Sequence, residues 1–189
     1  MDILLYIIIG IVAIIVIFVI VSYNALVRAR NRATEAWSDI ETHLKRRHEL
    51  IPNLVETVKG YAKHESTTLE KVVAARTAAM SKSGGTENQA AAENTLSQTL
   101  KSIFALSESY PDLKANQNFI ELQREITDTE DKIQASRRFF NSVVLSFNNR
   151  VQTFPSNIIA GIFNFSKREF FELDEAEKAA AYKPPQVQF

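Results

Sequence analysis

Histidine is the side chain best suited to hold a metal or move a proton near neutral pH. This chain has three, His43, His48 and His64. A carboxylate-bridged di-iron site in a helical bundle needs Glu-x-x-His on two helices and a Glu from each of two more. The residues three positions before the histidines are Ile40, Lys45 and Tyr61, so that pattern is absent. The sequence also has no HExxH, no phosphate-cradling glycine loop and no serine on a nucleophile elbow. It has no Cys, which removes disulfides, thiolate chemistry and Cys-based zinc sites. His48 and His64 read as surface or interfacial polar residues. The chain reads as a protein without catalytic residues, cofactor or metal.

The polar chemistry that remains lies on apolar seams. Phe119, Leu122, Ile126, Ile133, Phe140, Val144, Phe147, Val151 and Phe154 recur at helical spacing. The same register puts Glu130 and Arg137 on or beside that face. An earlier series runs through Ala33, Trp37, Ile40, Leu44, Ile51, Leu54, Val58 and Tyr61. Its gap between Leu44 and Ile51 is filled by Arg47 or His48. Buried charges persist only when paired. Two readings follow. In one, these groups sit at the seam's edge with their stems packed and their heads in water. In the other, Arg47, Glu130 and Arg137 form cross-helix charge pairs that set the register between helices or subunits.

Both series require long helices, and composition agrees. Gly and Pro number 5 each, and helix formers are plentiful. Pro52 interrupts the first series, because it lacks an N–H and crowds the carbonyl of His48. Two helical pieces are expected, roughly 23–50 and 53–81, bent or sharply broken at Pro52. Ser83-Gly84-Gly85 signals a turn. Thr86 with Gln89 and Asn118 with Glu121 fit capping boxes for the next two helices. The last of these runs to Pro155 and needs an equally long partner, which only the 23–81 stretch supplies.

Ahead of all this lies Ile3 to Val21, which contains no charge. About 19 residues span roughly 28 Å as a helix, the thickness of a bilayer's hydrocarbon core. The start Met1-Asp2 and the poor cleavage site around Ser22 argue against a signal peptide. An uncleaved anchor is expected over 1–22. Arg28, Arg30 and Arg32 follow it, and no positive charge precedes it. The positive-inside rule then puts the N-terminus outside and the rest in the cytoplasm, at the inner membrane. Those arginines serve topology, or also attract anionic headgroups at about 1 kcal/mol each. Lys plus Arg and Asp plus Glu both total 22, and that balance offers no support for nucleic-acid binding.

After Pro155 the character changes. Ile158, Ile159, Ile162, Phe163, Phe165, Phe170 and Phe171 make a short apolar run, with Lys167 and Arg168 between them. It is too short to span. Ser166 with Glu169 fits the cap of a last short helix through Leu173. Tyr182 to Phe189, with Pro184-Pro185, reads as an extended tail. The run closes the end of the bundle, contacts another subunit or enters lipid. The reading is therefore all-α, in three parts. These are an anchor (1–22), a cytoplasmic antiparallel helical domain (23–155) and an apolar segment with a tail (156–189).

Several stretches carry a resemblance. They include Glu35-Ala36-Trp37-Ser38-Asp39-Ile40, Leu44 to Val55 with Arg47-His48-Glu49-Leu50-Ile51-Pro52-Asn53, and Tyr110-Pro111-Asp112-Leu113. Glu130-Asp131-Lys132-Ile133, Arg137-Arg138-Phe139-Phe140-Asn141 and Phe154-Pro155-Ser156-Asn157 continue it. In order and nearly end to end, the chain resembles the LemA family. Phe140 departs from the Tyr usual there and loses one hydroxyl. The resemblance implies a bacterial-type membrane protein with an N-out anchor and a cytoplasmic antiparallel helical domain. It implies no activity and no cofactor. The reading preferred here is a non-enzymatic membrane scaffold that forms homo-oligomers. An adaptor for an envelope protease or assembly factor comes second, and a metal-dependent or hydrolytic enzyme is a distant third.

Overall fold

The computed structural model describes residues 2–81 and 86–171. The turn at Ser83-Gly84-Gly85, Leu173 and the tail from Tyr182 to Phe189 lie outside these residues. Every regular element among those described is helical, and no strand occurs. In chain order they are α1 (Asp2–Lys59), α2 (Ser66–Ser81), α3 (Thr86–Ser107), α4 (Pro111–Lys114), α5 (Gln117–Gln152) and α6 (Ser156–Ile162). They form two compact units. The first takes α1 up to Asp39 together with Arg138–Arg168, and the second takes Ile40–Arg137 and the segment after Arg168.

The second unit bundles parts of four long helices with the short α4. Its core joins Ile51, Leu54 and Val58 of α1 with Leu69 and Val72 of α2. Leu96, Leu100 and Ile103 of α3, Leu113 of α4, and Phe119 and Ile126 of α5 complete it. Cross-links show that successive helices run antiparallel. Arg76 of α2 meets His48 of α1, Gln89 of α3 meets Ala79 of α2, and Glu130 of α5 meets Ser97 of α3.

The break expected at Pro52 falls elsewhere. α1 runs through Pro52 to Lys59. Proline leaves the carbonyl four residues earlier without its helical donor. Here that carbonyl is His48 O, and Arg76 Nε donates to it at 2.8 Å. The side chain of α2 thus replaces the missing backbone bond. The chain turns instead just after Gly60, with Tyr61 and Ala62 N–H both directed to Val58 O. That turn brings Leu69, Val72, Ala75 and Ala79 onto the core. Tyr61, expected on the face, is 42% exposed, and Ala62 is buried in its place.

A second difference is a cap. α5 begins at Gln117, and its cap lies two residues before the expected Asn118. Asn116 Oδ1 accepts the Phe119 N–H at 3.0 Å, an N-cap bond to the third helical residue. Asn116 Nδ2 also donates to Tyr61 Oη at 2.9 Å, tying the start of α5 to the turn after α1.

In the first unit, α5 again lies antiparallel to α1. Trp37 and Phe140 pack with ring centroids 5.4 Å apart. Ile159 and Ala160 of α6 bury against Leu26, with Val19, Val151 and Phe165 alongside. The helix expected across Phe170 and Phe171 is not there, since residues 165–171 have no regular structure. Asn148 holds this strap at both groups of one residue. Its Nδ2 donates to Arg168 O and its Oδ1 accepts from Arg168 N, each at 2.9 Å. No residue from Ile3 to Val21 is buried, and this stretch has the length and composition to cross a membrane.

Candidate functional site

The polar centre of the bundle is built on Arg47. Its place in the α1 series puts it on the buried face, and only 1% of it is exposed. A guanidinium there must be met by acceptors. Nη1 donates to Ser97 Oγ at 2.7 Å and to Glu130, while Nη2 donates to the Glu93 carboxylate. Glu93 is 2% exposed, whereas the Glu130 side chain keeps 27% of its surface. Ser97 Oγ also donates to Glu130 Oε1 at 3.0 Å. One arginine therefore binds three helices together through two carboxylates and a hydroxyl. Its Nε has no hydrogen-bond partner among the described residues.

His48 is buried, not at the surface. Its Nε2 lies 3.2 Å from Glu93 Oε1 and 3.3 Å from Oε2. Against an ionised carboxylate this nitrogen carries the hydrogen, because the carboxylate only accepts. Burial pushes the Glu93 carboxyl up. The His48 hydrogen bond and the Arg47 charge outweigh it and hold the group below its ordinary range. Gln89 Nε2 donates to Glu93 Oε1 at 2.8 Å. Glu93 thus stays ionised where an isolated carboxylate would take up a proton.

Arg137 lies two turns from Glu130 on the same helix and is 6% exposed. Its Nη1 donates to Asn94 Oδ1 at 3.2 Å, and its guanidinium stands 4.6 Å over the Phe171 ring. Arg47 and Glu130 meet directly, and Arg137 docks α5 on α3 through Asn94. Sequence reasoning missed Glu93, Asn94 and Ser97, because the first turns of α3 carry few apolar residues. A signal was present. Glu93 precedes Leu96 by three residues and Leu100 by seven, the spacing of one helix face.

The remaining candidates lie in the first unit, except Phe170 and Phe171, which belong to the second. Arg30 stacks 5.3 Å from the Phe165 ring and Arg32 5.9 Å from Phe139, while Arg28 is exposed. Burial, then the nearby Arg30 charge, lower the Arg168 guanidinium from its ordinary range. The apolar run divides. Ile159 and Phe171 are 3% and 1% exposed and spent on internal packing, and Phe165 and Phe170 are half-buried. Ile158, Ile162 and Phe163 remain exposed, joined by Phe154, so the outward surface is narrower than expected. Among the described residues, no three His, Asp or Glu side chains cluster closely enough to hold a metal ion.

The chain is similar in sequence to known proteins. The chain is 31% identical over 159 residues to Protein LemA of Metamycoplasma hominis, covering 82% of this chain and 71% of that protein. It is 23% identical over 193 residues to Magnetosome protein MamQ of Magnetospirillum gryphiswaldense, covering 87% and 70%. Magnetosome protein MamQ 2 of Paramagnetospirillum magneticum is 22% identical over 187 residues, covering 86% and 67%. The LemA family model matches residues 36–189, which takes in Arg47, Glu93, Glu130 and Arg137, and the chain belongs to the LemA family.

Proposed function

We propose that this protein is a non-enzymatic scaffold, anchored by one membrane span and assembled into a homo-oligomer at the cytoplasmic membrane. In this reading Ile3–Val21 crosses the bilayer, the N-terminus lies outside and the bundle lies in the cytoplasm. The observation that carries self-association is apolar surface outside the span. Phe154, Ile158 and Ile162 are 75%, 52% and 65% exposed, while the opposite side of α6 is sealed on Leu26. An apolar patch that its own chain leaves open marks a contact. Anchoring in one plane brings identical patches together, and isologous pairing is the common result. The buried Arg47 cluster suits a scaffold, because its ion pairs tie α1 to α3 and α5 and lock helix register. The relatives' names specify no reaction.

The test is chemical crosslinking of the full-length protein in native membranes, with size measurement in mild detergent. The wild type should give a ladder of homo-oligomers. Ile158→Asp with Ile162→Asp should abolish the ladder and keep the helical content. A wild-type chain that stays monomeric at high concentration sinks the scaffold reading. Digestion of the bundle by protease outside intact cells would reverse the assigned orientation.

A further inference from the structure

The zero net charge of the chain conceals a segregation. Past the apolar run, the first unit carries seven Arg and Lys residues against two acidic ones. Three of the seven converge. Arg28 and Arg32 of α1 and Arg150 of α5 line an open groove of about 520 Å³ with Ala29, Ser142 and Ser146. Among the described residues, none of these guanidiniums lies within ion-pair distance of a carboxylate. Arg28 and Arg32 are four residues apart on one helix face, where like charges oppose each other. Ala29 leaves room between them.

Position identifies the anion. Arg28 lies seven residues past Val21, about 10 Å along the helix axis. Helical side chains lean toward the N-terminus, so the guanidinium reaches back to the headgroup layer just outside the hydrocarbon. Arginine forks match phosphate oxygens in pairs. We propose that the groove between α1 and α5 binds the phosphate of an anionic phospholipid. Arg28, Arg32 and Arg150 take its oxygens, and the Ser146 hydroxyl adds a neutral donor. Ser142 Oγ already donates to Phe139 O at 2.7 Å and forms part of the wall. This site depends on the span and is independent of self-association.

The experiment uses the full-length protein in mild detergent, with phosphatidylglycerol, phosphatidylcholine or inorganic phosphate added, and native mass spectrometry to count bound molecules. Phosphatidylglycerol should be retained in preference to phosphatidylcholine. At about fivefold per arginine near an anionic surface, Arg28→Gln with Arg32→Gln should weaken retention roughly 25-fold. Arg138→Gln with Lys167→Gln removes equal charge from the same unit outside the groove and should weaken it much less. Ser146→Phe fills the groove at constant charge and should also abolish retention. All five altered sites are exposed, and circular dichroism checks that the helices persist. Equal loss from both double variants, or unchanged retention by Ser146→Phe, would reduce the site to diffuse charge and overturn it. Retention of phosphatidylcholine to the same extent overturns it too. Binding of inorganic phosphate without phosphatidylglycerol overturns the lipid assignment.

Discussion

Arg28 and Arg47 stand on the same helix in different units. Arg47 is 1% exposed and meets Glu93, Glu130 and Ser97. Arg28 is exposed and faces a groove with two other arginines. Removing a guanidinium from water costs several kcal/mol, so a bundle that buries one must bring acceptors to it. An exposed guanidinium carries no such demand and stays available to an outside anion. The contrast separates charge that holds the fold from charge that can serve recognition.

The largest effect that would break this comparison belongs to Arg47. Arg47→Ala leaves Glu93 buried without its charged partner, held by His48 and Gln89, and should cost about 3–5 kcal/mol. Arg28→Ala should change stability by less than about 0.5 kcal/mol. Chemical denaturation of the full chain in detergent compares them, and equal midpoints would erase the distinction. Acid tests the same cluster without mutation. The folded Glu93 titrates below its ordinary value of 4.5. Its stabilisation is therefore complete above that value and is lost as pH falls through the folded one. Thermal melting between neutral pH and pH 3 should show a drop that Glu93→Gln largely removes. A variant with the same acid slope as wild type would assign the loss to other carboxylates.

Arg76→Ala comes next. It orphans His48 O where Pro52 cannot donate, at about 1–3 kcal/mol. Hydrogen exchange should then quicken around residues 48–52 of α1. Unchanged exchange there would mean that water replaces Arg76 at no cost. The smallest effect is at Arg46, which pairs with Glu125 at 2.8 Å with side chains 58% and 36% exposed. Arg46→Ala should cost at most about 1 kcal/mol, and less in high salt. A salt-independent loss as large as that at the neighbouring Arg47 would show that exposure does not set the scale.

Much of this was legible from local pattern. The α5 face, from Phe119 through Ile126, Ile133 and Phe140 to Phe147, is buried as its spacing required. Arg47 and Glu130 stood out as charges on apolar seams. Glu93 did not, because its helix begins with Thr86-Glu87-Asn88-Gln89, which resembles an exposed surface. Zero net charge hid the basic unit, because a sum over the chain discards position.

The sequence by itself determined the helices, the apolar run of membrane-crossing length and the faces that turn inward. Those depend on a period of 3.6 residues and on side-chain polarity, which are properties of neighbours along the chain. Only the tertiary structure decided where α1 ends, which acids reach Arg47 and which half of the 158–171 run stays open. Each of these turns on a residue far away in sequence. Arg76 rescues the carbonyl that Pro52 leaves bare, Glu93 reaches Arg47 from α3, and Leu26 covers Ile159 and leaves Ile158 and Ile162 exposed. The energy of a buried polar group is set by the partner that folding brings to it, and that partner cannot be read from the group's own stretch of chain.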